Sequence, residues 1–298
     1  MLMIQMSGGL GNQMFVYALY KALLYEGKKV CIEDFTHYKE IERYDNQLEQ
    51  IFPLTYIKAT GTEYERLTDS SLFPWHRIRR KLFGRNDKSY VEKDAITFEK
   101  EVFEQDDCCF VGYWQSQRYF EKVQTDLRKD FTFDWDNFPQ KAKEYRKQME
   151  QTNSVSIHVR RGDYLNEKFA PVYGGICTDA YYESAKAYMK EKYPDCVFYL
   201  FTNDVEWGRT QENDNMVFVD CTDSDNAYVD MALMSCCKHN IIANSSFSWW
   251  GAWLNENPEK TVIMPARWLN TSDGKDIYAG LCTTKVDEEG RMVYESNR

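Results

Sequence analysis

From residue 155 to residue 264 short apolar runs alternate with stretches of helical period, and this rhythm restricts the fold more than any other feature of the chain. Residues 155–159 have strand length. Thr178 and Asp179 open a helix that runs through Lys192, with Tyr181, Ala185, Tyr188 and Met189 on one face and Pro194 just past its end. Strands follow at 197–201, 216–219, 240–243 and 261–264, with helices at 226–237 and 245–254 between them. A βαβα series of this kind winds into a parallel sheet covered by helices on both faces. In such sheets ligands bind just beyond the carboxyl ends of the strands.

The amino terminus repeats the unit once. Residues 1–6 read as a strand, Ser7 to Gln13 as a glycine-rich turn, 14–25 as a helix stopped by Gly27, and 30–32 as the next parallel strand. The turn can present backbone N–H groups and the Asn12 side chain to a ligand, or it can be a tight turn and nothing more. It is not a dinucleotide fingerprint: counted from Gly9 and Gly11, the third glycine would fall on Met14. Residues 35–135 are less regular. Within them Gly112-Tyr113-Trp114-Gln115-Ser116 reads as a strand end with a turn, whose Trp114 either stacks on a sugar or packs in a core. The charged helix at 140–151 then closes a first domain, 1–150, and the strict series makes a second, 151–298.

Charge and cysteine usage narrow the partners. A formal net charge of −10 on 298 residues does not make the basic field that nucleic acid requires, so no nucleic-acid partner is expected. The exception is the segment 75–85, where Arg77, Arg79, Arg80, Lys81 and Arg85 interleave with Trp75, Ile78, Leu82 and Phe83. It reads as a solvated helix face, a loop over an anionic ligand, or a peripheral contact with an anionic membrane. Nine cysteines, two vicinal pairs and no visible signal peptide suit reduced thiols and a cytoplasmic setting, peripheral at the inner membrane face if the basic segment touches lipid. No run is long and apolar enough to span a bilayer, and His and Cys show no metal-ligand spacing. Asp134-Trp135-Asp136 and Asp223-Ser224-Asp225 fit the short Asp-x-Asp pattern but lack a second ligand cluster, so no metal or other cofactor is expected.

Polar residues gather after the strands of the second half. His158-Val159-Arg160-Arg161-Gly162-Asp163-Tyr164 ends one strand, Thr202-Asn203-Asp204 ends another, and Asn244-Ser245-Ser246-Phe247-Ser248 ends a third and opens a helix. Guanidinium groups grip phosphate through paired donors, and a helix N-terminus offers free N–H groups and a favourable dipole. Together they make a pyrophosphate cradle that suits a nucleoside diphosphate-sugar. Each has an ordinary alternative: a surface turn for the arginines, a plain N-cap for the serines.

These residues carry a resemblance. His158 to Tyr164 resembles the signature of α-1,2-fucosyltransferases, and more distantly that of α-1,6- and protein O-fucosyltransferases. The stretch from Gly8 to Met14 and the stretch from Ile241 to Ala252 resemble two further motifs of that family, in the same order, and the bacterial members are the nearer match. The resemblance implies an α/β, GT-B type fold with two Rossmann-like domains facing across a cleft. It implies an inverting, metal-independent transfer of L-fucose from GDP-β-L-fucose to the 2-hydroxyl of a terminal galactose, in glycan or surface polysaccharide synthesis. The partners would be GDP-fucose and a galactose-terminated acceptor. Arg160 would neutralise the departing GDP, with Arg161 assisting through the nucleotide or bracing the loop. His158, Asn244, Ser245, Ser246, Phe247 and Ser248 would belong to the substrate side, Asn203, Asp204 and Asp230 to the ribose or guanine, and Gly9, Gly11, Asn12 and Gln13 to the fucose and diphosphate. For the base that takes the acceptor proton, Asp163 stands ahead of Glu167. Asp163 can equally hold an arginine in place, and the reaction can also run without a strong base. Competing readings are a fucosyltransferase of another linkage, a non-catalytic glycan-binding protein suggested by the aromatic content, and an NAD-dependent oxidoreductase built on the first βαβ unit.

Overall fold

A computed structural model of the chain describes residues 1–35, 46–161, 167, 169–222 and 226–293. Contacts divide it into two compact α/β units, Met1–Thr132 and Phe133–Arg298.

The first unit begins with β1 (Leu2–Gln5), α1 (Leu10–Tyr25) and β2 (Val30–Glu33). It continues through the helices α2 (Leu48–Ile51), α3 (Gly61–Thr68) and α4 (Pro74–Phe83), the strands β3 (Ser89–Val91) and β4 (Cys109–Val111), and α5 (Gln124–Asp130). The four strands form one parallel sheet in the order β2-β1-β4-β3. Helix α1 starts four residues earlier than its apolar period indicates. Gly9 is its N-cap, so Gly11, Asn12 and Gln13 sit in its first turn rather than in the preceding loop. Poor helix formers are tolerated there because first-turn N–H groups have no intrahelical partner to lose. Gly27 ends the helix as expected: at φ +76° it lets its own N–H reach Leu24 O and that of Lys28 reach Leu23 O.

The second unit carries the longer series: α6 (Gln140–Gln151), β5 (Asn153–Val159), α7 (Ala170–Tyr173), α8 (Asp179–Lys192), β6 (Cys196–Thr202), α9 (Val205–Thr210) and β7 (Met216–Phe218). After these come α10 (Tyr228–Cys236), β8 (His239–Ile241), α11 (Ser246–Leu254), β9 (Val262–Pro265), β10 (Thr284–Val286) and β11 (Met292–Val293). The sheet order is β11-β10-β9-β8-β5-β6-β7, parallel except for the β10–β11 edge. Helix α6, expected at the end of a first domain, lies within this second unit, where it packs on α10 and β5.

β5 shows why the series folds as it does. Val155, Ile157 and Val159 point to one face and join Tyr181, Ala185 and Met189 of α8 in an apolar core. Ser154, Ser156 and His158 point to the other face and are also buried. That face is covered by α10 and α11, and Asn240 ties it together by donating to Ser156 Oγ at 2.8 Å and to Met234 O at 2.9 Å. Trp249, Trp250 and Trp253 of α11 are wholly buried. Gly251 allows that packing, since a Cβ there would stand 3.0 Å from Met234 Cβ on α10.

Candidate active site

In each sheet the winding reverses at one place. In the second unit the chain runs β5-β6-β7 in one direction and then returns to lay β8, β9 and β10 on the other side of β5. The loops after β5 and β8 therefore diverge and open a crevice at their carboxyl ends, the position where α/β sheets bind ligands. The residues at that crevice are the ones the sequence marks: His158, Arg160 and Arg161 from β5, and Asn244 to Ser248 from β8 and the start of α11.

The β8 side separates into side chains that build and side chains that face out. Asn244 is buried and donates to Tyr173 O at 3.1 Å and Trp268 O at 3.2 Å. Ser248 is buried and turns back to Ala243 O and Ser245 O. Ser245 is the N-cap of α11, yet its hydroxyl makes no capping bond. Ser246 and Phe247 are only half-buried. The first-turn N–H groups, which have no acceptor within the helix, and the serine hydroxyls beside them thus make a polar edge with positive dipole character.

The β5 side meets this edge through His158, whose ring centroid lies 5.9 Å from that of Phe247. Tyr182 of α8 fixes the strand end by donating to His158 O at 3.0 Å. The imidazole is buried, its Nδ1 has no hydrogen-bond partner, and desolvation with the nearby Arg160 charge lowers its pKa to about 3. It is a neutral group near neutral pH. Arg160 follows it, half-buried, at the mouth of the crevice.

Arg161 is held by its neighbours. Its Nε donates to Asp204 Oδ2 at 3.1 Å, its guanidinium lies 4.8 Å from the Trp207 ring centre, and its backbone exchanges hydrogen bonds with the Asn203 amide. Asp204 also caps α9, accepting from Trp207 N at 3.0 Å. The expected trio Arg161, Asn203 and Asp204 therefore forms a brace between the β5 and β6 loops. Trp207, which completes the brace, carried no sequence signal beyond its place in a short helix. Asp230 stands in the first turn of α10, where Thr222 Oγ1 donates to it at 2.9 Å and burial pushes its carboxyl up to about 7. Of the two candidate bases, Glu167 is exposed, and Asp163 lies outside the described residues, as do Gly162 and Asp223-Ser224-Asp225. Asp134 spends its carboxylate on the Asp136 N–H and the Asn137 amide. Among the described residues no three His, Cys, Asp or Glu side chains are placed to share a cation.

The first unit has its own reversal, between β1 and β4. It brings together the Gly8–Gln13 stretch and the turn after β4, where Gln115 Nε2 donates to Asn12 Oδ1 at 2.8 Å. Gln13 is fully buried; it donates to Gly8 O at 3.0 Å and accepts from Gln47 N at 3.0 Å, so its side chain builds the turn. Trp114 is wholly buried against Phe110 and Tyr119, which places it in the core and not on a sugar. Its backbone is left-handed, φ +57°, and Glu92 holds that conformation by accepting from Tyr113 N at 2.6 Å and Trp114 N at 2.7 Å. Glu92 escaped the sequence reading because a lone acidic residue after a three-residue strand has no pattern. Burial pushes its carboxyl up to about 8 against the pull of those two N–H groups.

The family described as glycosyl transferase family 11 matches residues 1–278. An α-1,2-colitosyltransferase of Escherichia coli is 33% identical over 90% of this chain and 92% of its own length. The O-antigen biosynthesis glycosyltransferase WbnK, also of Escherichia coli, is 31% identical over 89% of this chain and 93% of its own. The galactoside α-(1,2)-fucosyltransferase 2 of Hylobates lar is 24% identical over 83% of this chain and 67% of its own.

Proposed function

This chain belongs to glycosyl transferase family 11, and from that premise we propose that it transfers L-fucose from GDP-β-L-fucose to the 2-hydroxyl of a terminal galactose, with inversion and without a metal. The observation that carries the reading is the second unit's crevice, where the end of β5 that leads into Arg160 meets the start of α11 through the His158–Phe247 ring contact, and Ser245 leaves that helix start without a side-chain cap. Charge builds on the β-phosphate as the fucosyl bond breaks. A guanidinium and preorganised N–H and hydroxyl donors stabilise that charge more than the ground state, which is what lowers a barrier. Arg160 is the group assigned to the departing diphosphate, and Ser245 and Ser246 are its companions. The Arg161–Asp204–Trp207 brace fixes the backbone one residue after Arg160. Asp230 is assigned to the nucleoside. The acceptor proton leaves late in such a transfer, and Asp163 is assigned to take it ahead of Glu167. In the first unit Asn12 and Gln115 are the polar pair offered to sugar hydroxyls.

A second donor is favoured by one comparison: the 33% identical relative is named for colitose transfer. The deciding experiment supplies GDP-fucose and GDP-colitose separately, with a panel of galactosides and EDTA present, and reads the linkage by NMR. A fucosyl-α-1,2-galactoside is the expected product, and Arg160→Ala is expected to lower kcat/KM by at least about a hundredfold, the size typical of removing one transition-state charge partner. Intact GDP-fucose with every acceptor, alongside turnover of GDP-colitose, reassigns the donor. Turnover of neither sinks the reading.

A further inference from the structure

We propose that helix α4 docks the protein on an anionic lipid surface. This goes beyond the transfer reading and does not depend on it. Pro74–Phe83 has no buried residue, although four of its ten side chains are large and apolar. Trp75 is 74% exposed, Leu82 70% and Phe83 82%, and Leu72, Phe73 and Ile78 are exposed with them. Trp75, Ile78 and Leu82 are three and four residues apart and fall within about 60° of the helix circumference.

The helix is attached by a different side. Arg80 donates to Asp69 O at 2.8 Å and to Ser71 O at 2.6 Å, Arg79 pairs with the buried Asp69 carboxylate, and Arg85 reaches Thr68 O at 3.0 Å. Asp69 also accepts from Asn86 N at 2.8 Å, so one carboxylate ties the C-terminal half of the helix and the residues just after it to the first unit. Those arginines hold the helix down and leave its apolar stripe outward.

Charge identifies the occupant. No acidic residue lies between Asp69 and Asp87, while five arginines and lysines do, in a chain whose net charge is −10. An anionic surface repels the rest of such a molecule and attracts this segment, which sets the orientation of contact. Lys81 borders the stripe about 60° round from Ile78, where its stem can lie along it and its charge meet lipid phosphates, and Arg77 adds its charge one turn before it. Trp and Phe are the side chains that enter the headgroup boundary with least loss. A second copy of this chain is a poor occupant, because a two-fold contact would set the same cations against themselves.

The test is sedimentation of the full chain with phosphatidylcholine vesicles, with and without phosphatidylglycerol, at low and physiological salt. Binding is expected only with phosphatidylglycerol and is expected to weaken with salt. The pair Arg77→Gln and Lys81→Gln should lower the partition constant roughly thirtyfold, about fivefold for each cation. The pair Trp75→Ser and Leu82→Ser should abolish partition while leaving the circular dichroism melt unchanged, since both side chains are exposed. Absence of partition to phosphatidylglycerol vesicles overturns the proposal, as does partition that both pairs leave intact. A doubled mass in light scattering that Trp75→Ser with Leu82→Ser returns to a single chain also overturns it, in favour of self-association. None of these readouts uses glycosyl transfer, so failure here and failure of the transfer reading are told apart.

Discussion

Asp230 holds a proton that an ordinary aspartate gives up. Its folded pKa, about 7, lies above the 3.8 of an ordinary aspartate, so the folded chain keeps a proton that the unfolded chain has lost. Stability from this group is present in full below the ordinary value and is lost as pH rises from about 4 to about 7. If Asp230 accepts hydrogen bonds from the nucleoside, the bound state needs the carboxylate. Below pH 7 that proton must leave before GDP-fucose binds, so Kd is expected to rise by up to tenfold per unit of falling pH, measured by calorimetry. Asp230→Asn should flatten both the binding profile and the stability profile. A Kd that stays level between pH 5 and pH 7 in the native protein would remove Asp230 from the nucleoside site.

Elements decide which residues meet, and here the sequence was readable in some places and opaque in others. The series in the second unit was legible because its strands are buried on both faces and its longest helix is capped: α8 spans Asp179–Lys192, and Thr178 caps it by accepting from Tyr181 N. β3 and β10, three residues each and outside the regular alternation, were not read as strands, and β4 showed only as the strand end before the turn at 112–116. The motif residues were legible as a set, but their roles were not. Nothing in one dimension says that Asn244 and Ser248 turn inward while Ser246 faces out, or that Arg161 is spent on Asp204 and Trp207. Those assignments follow from which loops diverge at the β5–β8 reversal. Its register rests on Asn240, which bonds Ser156 of β5 and Met234 of α10 and accepts from Asn255 at 2.8 Å just past α11. Asn240→Ala leaves those buried partners unmet and should cost about 3 kcal/mol in stability. Urea unfolding is expected to show a lower midpoint with an unchanged slope. A loss under about 0.5 kcal/mol, the range of ordinary surface substitutions, would mean the register is set elsewhere.

At the scale of the whole chain, the two units share a rule. Each places its glycine-rich or arginine-rich motif where its own parallel sheet reverses direction, β1 against β4 in one and β5 against β8 in the other. The rule follows from geometry: only there do adjacent loops leave in opposite directions and open space at the strand ends. It also sets where a nucleotide can change the molecule. If GDP sits in the second unit's crevice, hydrogen exchange of the full chain with GDP should slow at Arg160 and at residues 246–248, where first-turn N–H groups gain an acceptor. The β10–β11 edge, two strands further along the same sheet, should exchange as before. The brace predicts one more feature. Because Asn203 already accepts the Arg161 N–H at 3.1 Å, that amide should be slow before GDP is added and change little afterwards. Protection spread evenly over the sheet would report general tightening and remove the argument for a ligand at the reversal.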